Sequence, residues 1–200
     1  MRIIGGRFKG TQLKAPGAAG GGAAHLRPSS DRTREALFNL LAHGGEDLPG
    51  GETPPRGARV LDLFAGTGAL GLEALSRGAA KVCFVDDHAP SRGLIRDNAE
   101  RLGVTGEVKI WRRDATKLGP NRGGTFDLVF LDPPYGKGLG ERALAAAFEG
   151  GWIAPGALIV WEERTGVPVT PPAGCTPLDE RSYGEATVRI LRAPGSVEEA

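Results

Sequence analysis

The tetrapeptide Asp132-Pro133-Pro134-Tyr135 is the part of the sequence best suited to chemistry, and it directly follows the apolar segment 126–131. Its prolines carry no N–H donors, so the Asp132 carboxylate and the Pro133 carbonyl present acceptors. Two acceptors on the hydrogens of a ring-conjugated amine favour its tetrahedral, nucleophilic form. Tyr135 adds a flat face on which an extruded base can stack. The tetrapeptide therefore predicts a site for the exocyclic amine of a nucleobase; a strand ending in a plain proline turn is the alternative.

A second candidate site lies in residues 62–71, where Asp62 precedes Gly66, Gly68 and Gly71. Glycines between a strand and a helix let a ligand approach the backbone closely, and the G-x-G-x-x-G spacing favours a nucleotide. Asp86 follows the next apolar segment, where its carboxylate can accept hydrogen bonds from both ribose hydroxyls. The same spacing is compatible with a nicotinamide dinucleotide, or with a tight turn that binds nothing.

The charge of Asp62 favours S-adenosylmethionine over a dinucleotide, because a carboxylate repels a pyrophosphate but attracts the ammonium of a methionine moiety. Asp114 follows the third apolar segment and can accept from the adenine amine, although capping a helix would also explain it. A nicotinamide-dependent oxidoreductase remains an alternative, but it leaves residues 132–135 without a role.

The histidines and cysteines predict neither a metal nor a disulfide framework. Three histidines and two cysteines have no metal-ligand spacing, and methyl transfer from a sulfonium requires no metal. No segment approaches the ~18 apolar residues of a membrane-spanning helix. We therefore expect a cytoplasmic protein without a membrane partner.

Apolar segments alternate with helical patterns along the chain and predict a doubly wound α/β fold. Five of these segments are predicted to be buried strands, at residues 60–64, 82–85, 108–111, 126–131 and 157–161. Such alternation gives a parallel sheet whose ligands bind at the carboxyl ends of the strands. Because the glycine loop and the tetrapeptide follow strands that neighbour each other across the switch point, we expect them to converge.

The end of the chain departs from that alternation. A proline-rich loop is predicted at residues 167–177, and the alternating residues 185–191 predict a late, antiparallel edge strand.

The amino-terminal segment is basic. Residues 1–34 hold seven Arg and Lys against Asp31 alone, so they carry +6 while the remainder carries −5 of a net +1. This asymmetry predicts phosphate contacts, with a solvated arm as the alternative. A non-catalytic RNA-binding protein would explain this segment and nothing else.

The sequence divides into a basic extension, residues 1–43, and a main domain, residues 58–193. The extension is predicted to contain a hairpin over residues 2–13, a Gly/Ala linker over 15–24 and a helix over 31–42 that Ser29 or Ser30 caps. Leu37, Leu40 and Leu41 form the predicted buried face of the helix. Residues 44–57 are predicted to be a disordered or exposed loop.

These motifs, with Arg2-Ile3-Ile4-Gly5-Gly6, Arg27-Pro28 and residues 31–41, resemble bacterial 16S rRNA (guanine(966)-N(2))-methyltransferases, within the class I S-adenosylmethionine-dependent enzymes. The resemblance covers nearly the whole chain. It implies a Rossmann-like, seven-stranded, mostly parallel sheet, with S-adenosylhomocysteine as product. It also implies 16S rRNA as the partner, free or within the small subunit. Nothing in the sequence requires more than a monomer, which is the oligomeric state we expect.

The resemblance also implies roles for particular residues. The cofactor contacts are Asp62, Phe64, Gly66, Gly68, Asp86, Asp114 and Ala115. The acceptor site is Asp132, Pro133, Pro134 and Tyr135. The RNA contacts are Arg7, Lys9, Arg27, Arg32 and Arg34.

The choice of base rests partly on hydrogen bonding. Guanine presents N1–H and N2–H₂ as adjacent donors that one carboxylate can accept together, whereas adenine pairs its N6 donors with an N1 acceptor. Asp132 therefore favours guanine N2. Adenine N6, or another nucleic-acid amine, is the alternative because adenine-N6 enzymes use the same tetrapeptide.

Overall fold

The computed structural model describes residues 1–15 and 31–195. Seven strands form one sheet in the order β3-β2-β1-β4-β5-β7-β6. The strands are β1 Arg59–Leu63, β2 Lys81–Val85, β3 Val108–Trp111, β4 Phe126–Leu131, β5 Ile153–Arg164, β6 Thr176–Tyr183 and β7 Ala186–Arg192. The α-helices are α1 Asp31–His43, α2 Ala69–Ser76, α3 Ala89–Leu102 and α4 Leu139–Glu149. This is the predicted Rossmann-like class.

Helices cover both faces of the sheet, which is why its central strands are apolar throughout. Val60 packs into the cluster of buried residues that includes α1, α2 and α3. Leu61 and Leu63 point the other way, into the cluster that includes α4. Successive side chains of a strand point to opposite faces, so Asp62 lies on the α2 side.

The switch point lies between β1 and β4. Strand β1 pairs in parallel with β2 and with β4, and Leu63 is the register partner of Leu131. The residues that follow these two strands, the glycine loop and the tetrapeptide, therefore leave the sheet side by side. A crevice at this edge is where a doubly wound sheet binds its ligands.

The antiparallel part of the sheet differs in detail from the prediction. The strand predicted at residues 185–191 is β7 and is antiparallel, but it lies between β5 and β6. The edge strand is β6, whose beginning lies in the predicted loop 167–177. Its residues are mostly polar and partly or fully exposed, so no apolar pattern marked it.

The described residues of the amino-terminal segment pack onto α2. An isolated antiparallel bridge joins Arg2 and Gln12, which gives the predicted hairpin in a minimal form. The amides of Ile4 and Gly5 donate to the carboxylate of Glu73, each at 2.8 Å. Ile3 is buried in the same core as the sheet. The hairpin is thus held against the main domain.

Helix α1 follows the predicted boundaries closely. Leu37 and Leu41 are buried as predicted, whereas Leu40 is half-buried and Phe38 is fully buried. The predicted cap, Ser29 or Ser30, and most of the predicted linker lie outside the described residues. Residues 44–57 contain no helix or strand, as predicted, but Leu48 is buried. No helix of the described chain is long and apolar enough to cross a membrane.

Candidate active site

A cavity of about 950 Å³ opens at the carboxyl edge of the sheet. Its volume is in the range of small-molecule sites, roughly 300–1,000 Å³. The predicted residues that line it are Asp62, Phe64, Gly66, Asp86, Asp114, Ala115, Asp132, Pro133, Pro134 and Tyr135. Residues from the ends of four parallel strands therefore meet in one cavity.

Gly68 is the one predicted cofactor residue that does not line this cavity. It precedes α2 with a φ of 74°, and a Cβ there would lie 2.9 Å from Ile95 Cγ1. At Gly71 a Cβ would lie 2.4 Å from Phe84 Cε1. These glycines let the loop turn and let α2 pack closely on the sheet, and the predicted ligand contact of Gly68 stays a prediction.

Asp62 is buried, and its carboxylate accepts a hydrogen bond from the amide of Gly71 at 3.0 Å. Burial raises the pKa of Asp62 to about 8, and the nearby Asp86 adds to this rise while the Gly71 amide opposes it. A carboxylate that is costly to ionise is stabilised by a cationic ligand.

Asp86 follows β2 and connects the glycine loop with the residue that precedes α3. Its carboxylate accepts from the amides of Gly66 and His88, each at 2.8 Å. Burial raises its pKa, although these two amides act in the opposite direction. A carboxylate offers about four acceptor positions, so two positions remain for hydroxyl donors.

Phe64 begins the glycine loop in a strained conformation. Its φ of 59° makes it the only non-glycine residue with positive φ in the described chain. Such a conformation costs on the order of 1–3 kcal/mol and is typical of functional sites. Here it turns the chain between β1 and the glycines.

Asp114 takes the capping role that was the alternative to adenine binding. Its Oδ1 accepts from the Thr116 amide at 2.8 Å and from the Thr116 hydroxyl at 2.7 Å, at the start of a short 3-10 helix, Ala115–Lys117. The hydroxyl hydrogen bond is the main reason that the pKa of Asp114 is lowered. Because Asp114 also lines the cavity, capping does not remove it from the site.

Asp132 lies close enough to other carboxylates to be affected by their charge. Desolvation raises its pKa well above the usual value, and the charges of Glu162, Asp62 and Glu163 raise it further. The acceptor end of the cavity is thus rich in carboxylates, a setting that favours ligands bearing hydrogen-bond donors or positive charge.

The carboxylates of Glu162 and Glu163 were not predicted, because strand β5 was expected to end at Trp161. The Tyr135 hydroxyl donates to Glu162, and the Gly136 amide donates to Glu163 at 3.1 Å. Their signal in the sequence is two acidic residues directly after a buried apolar segment, the same signal that marked Asp132.

Other cavity-lining residues were also missed. They are Thr33, Thr67, His88, Ser91, Lys137, Arg164 and Tyr183, among others. His88 and Ser91 contact each other at 3.0 Å beside Asp86. Most of these residues come from loops or from distant elements, and no local spacing distinguishes them.

The family of this chain follows from comparison with known proteins. Residues 1–192 match the family model described as conserved hypothetical protein 95. The chain belongs to this family.

Relatives of the chain are named as methyltransferases. Ribosomal RNA small subunit methyltransferase D of Escherichia coli (strain K12) is 37% identical over 195 residues, or 96% of this chain and 89% of that protein. The Haemophilus influenzae protein of the same name is 34% identical over 199 residues, or 96% and 93%. The solved structure of yhhF from Escherichia coli, assigned to the methyltransferases, has a TM-score of 0.78 and 32% identity over 98% of this chain and 99% of that chain. The predicted family resemblance is confirmed.

The carboxylates of the cavity fit the cofactor expected of a methyltransferase in this family. Burial raises the pKa of Asp62, Asp86 and Asp132, so a bound positive charge would offset the cost of ionising them. S-adenosylmethionine carries an ammonium and a sulfonium. The pyrophosphate of a nicotinamide dinucleotide would instead add negative charge to an acidic cavity.

The predicted RNA contacts separate into different environments. Arg34 is 1% exposed, and its guanidinium donates to the Asp31 carboxylate at 2.7 Å and to the Arg2 carbonyl at 2.8 Å. Its charge is therefore enclosed by the fold, and we do not include Arg34 among the proposed RNA contacts. Arg7 is half exposed and pairs with Glu107 at 2.5 Å.

Lys9 and Arg32 are exposed, and Arg27 lies outside the described residues. Arg32 precedes Thr33, which lines the cavity. Lys9 follows Phe8, whose amide donates to Ser76 at the far end of α2. Lys9 thus follows a residue held at the carboxyl end of α2, whereas Arg32 precedes a residue of the cavity.

Proposed function

We propose that the protein transfers a methyl group from S-adenosylmethionine to the exocyclic N2 amine of a guanine in 16S ribosomal RNA. The observation that carries the proposal is the meeting of two motifs in one cavity: the glycine loop with Asp62 and Asp86, and the tetrapeptide 132–135. The family contributes the reaction class. Methyl transfer to an amine at the tetrapeptide is the chemistry that needs both motifs.

The cofactor end consists of residues from β1, β2 and the loop after β3. Asp62 would hold the ammonium, Asp86 the ribose hydroxyls, and Asp114 with Ala115 the adenine, while Phe64 and Gly66 shape the backbone around them. When bound, S-adenosylmethionine supplies a methyl group that its sulfonium has already activated for displacement.

At the acceptor end, the Asp132 carboxylate and the Pro133 carbonyl accept hydrogens of the target amine. These contacts orient the amine and favour its nucleophilic form. Pro134 fixes the backbone, and the Tyr135 ring stacks on the base, a contact worth ~1–3 kcal/mol. The chain contributes chiefly by alignment, which can account for several orders of magnitude in rate.

Two considerations support guanine in small-subunit rRNA. Relatives are named as rRNA small subunit methyltransferases and cover nearly the whole chain. The Asp132 carboxylate at the acceptor end matches the adjacent N1–H and N2–H₂ donors of guanine better than the donor and acceptor of adenine. The alternative is an N6-adenine, or another nucleic-acid amine, at the same tetrapeptide.

RNA contacts are proposed at Arg7, Lys9 and Arg32. To these we add Lys137 and Arg164, which line the mouth of the cavity beyond its acidic interior. Cations at the mouth would hold the phosphates that flank the target base, while carboxylates inside receive its amine. We expect a cytoplasmic monomer that acts on free rRNA or on the small subunit.

The test is methyl transfer from labelled S-adenosylmethionine to small ribosomal subunits that lack the modification, with mass spectrometry of the digested nucleosides. We expect label in N2-methylguanosine. Label in N6-methyladenosine would keep the mechanism and reject the proposed base.

The variant Asp132→Ala tests the acceptor site. We expect its turnover to be abolished while its cofactor affinity stays within a few-fold of wild type. Turnover by this variant at the wild-type rate would reject the proposed acceptor site.

A further inference from the structure

The far end of the Tyr135 ring is held in place, because its hydroxyl donates a hydrogen bond to the carboxylate of Glu162. The tetrapeptide loop by itself does not fix this ring: it leaves β4 without helix or strand, and Tyr135 is half-buried at the cavity. Glu162 comes from β5, the strand beside β4, where Leu131 and Trp161 are register partners. A rigid strand thus holds the end of a side chain that a loop carries.

The next residue holds the loop itself. Glu163 is 3% exposed and accepts from the amide of Gly136 at 3.1 Å and from the amide of Arg164 at 2.8 Å. Two consecutive carboxylates of β5 therefore bind consecutive residues of the acceptor loop, one through a side chain and one through the backbone. Glu163 thus holds the backbone of the loop, and Glu162 holds the end of the Tyr135 ring.

We propose that Glu162 is a positioning residue for methyl transfer, which fixes the Tyr135 ring so that a stacked base presents its amine to Asp132. This inference rests on the proposed function of the cavity and assigns Glu162 no contact with the reacting atoms. A charge-assisted hydrogen bond is stronger than a neutral one, so it can restrain the position of a ring that otherwise has one free face. Glu162 is half-buried and lines the same cavity, which supports this role.

A double-mutant cycle tests the inference by steady-state kinetics. Tyr135→Phe keeps the ring and removes the hydroxyl, and Glu162→Ala removes the acceptor. We expect each to lower kcat about ten- to hundred-fold, since small misplacement has effects of that size, and the double variant to lose no more than either alone. Glu162→Gln keeps an acceptor oxygen, so its kcat should stay within a few-fold of wild type. Losses that multiply in the double variant would overturn the inference.

Cofactor affinity and a matched control variant distinguish a failure of this inference from a failure of the proposed function. Cofactor affinity should be unchanged in all these variants, and Glu149→Ala, an exposed glutamate at the end of α4, serves as the matched control with normal kcat.

The contact itself can be detected without any RNA. The chain has two tyrosines, Tyr135 and Tyr183, so 3-fluorotyrosine labelling gives fluorine NMR signals that Tyr183→Phe assigns. Desolvation and the Glu162 carboxylate raise the pKa of Tyr135, so its signal should resist titration in wild type and titrate at lower pH in Glu162→Ala. An unchanged titration would reject the contact whatever the substrate proves to be.

Discussion

Asp62 shows how one buried carboxylate can couple ligand binding to pH. Without ligand its pKa is about 8, whereas a bound ammonium would favour the ionised form. At neutral pH, binding must therefore remove a proton from this group. The same residue that would hold the cofactor resists ionisation when the cofactor is absent.

We predict that cofactor affinity increases from pH 6 to 7.5, by up to about tenfold per pH unit, with release of up to about one proton. Calorimetry in buffers of different ionisation enthalpy measures both quantities. In Asp62→Asn, affinity should be weaker and its pH dependence reduced; the raised pKa values of Asp86 and Asp132 account for any remainder. Equal pH dependence in the variant and the wild type would contradict the assignment.

The same group affects stability with a definite sign. A carboxyl group whose pKa is higher in the folded chain than in the unfolded chain loses its stabilising effect as pH rises from 3.8 towards about 8. Asp62→Asn should therefore raise the melting temperature of the ligand-free protein at pH 8, since Asn keeps an acceptor oxygen for the Gly71 amide. A destabilised variant would show that the charge itself supports the fold.

At the scale of elements, Glu73 of α2 attaches the amino-terminal hairpin to the main domain. Its side chain is fully buried and accepts from the amides of Ile4 and Gly5, and it pairs with Arg77 at 2.7 Å. Without the hairpin, the apolar side chains that pack against Ile3 would be exposed to water. The amides of Ile4 and Gly5 and the guanidinium of Arg77 therefore share one carboxylate as their partner.

We predict that Glu73→Ala destabilises the protein by about 3–5 kcal/mol, because it leaves buried polar and charged groups without a partner. Urea unfolding measures the loss, and limited proteolysis should cleave the hairpin faster. Glu100→Ala, on the exposed surface of α3, is the control and should change stability by less than about 0.5 kcal/mol. A loss of similar size in both variants would contradict the role of Glu73.

At the scale of the whole molecule, several cations of the basic amino-terminal segment form ion pairs at the surface of the fold. Arg2 pairs with Asp31, Arg7 with Glu107, and Lys14 with Asp97. Exposed pairs of this kind contribute only about 0–1 kcal/mol each, so phosphates can compete for these cations. The basic segment therefore has two roles available: attachment to the domain and contact with RNA.

We predict that Arg32→Glu combined with Lys137→Glu weakens binding to small-subunit rRNA without changing cofactor affinity. The slope of log affinity against log salt should become less steep by roughly 0.7–0.9 for each lost phosphate contact. Lys81→Glu is the matched control: Lys81 is exposed at the start of β2, on the sheet edge opposite the cavity. Binding by the double variant equal to that of the control would reject this side as the RNA face.

The sequence by itself determined the alternation of the central strands and helices, the sheet class and the convergence of the two motifs. Central strands such as β1 and β4 are buried on both faces and must be mostly apolar along their length. Each of them can therefore be recognised from a short segment of the sequence. The switch point follows from their order, and with it the meeting of Asp62 and Asp132 in one cavity. These features depend on local composition and on general rules of chain connection.

Only the tertiary structure decided what the polar residues do. Arg32 and Arg34 look alike in the sequence, yet one is exposed and the other is buried against Asp31. Glu162 reaches Tyr135 across 27 positions of the chain, and β6 forms the edge strand from mostly polar residues. A polar side chain has the same local pattern whether it meets water or a distant partner. Its role is therefore fixed by the packing of elements that lie far apart in the sequence.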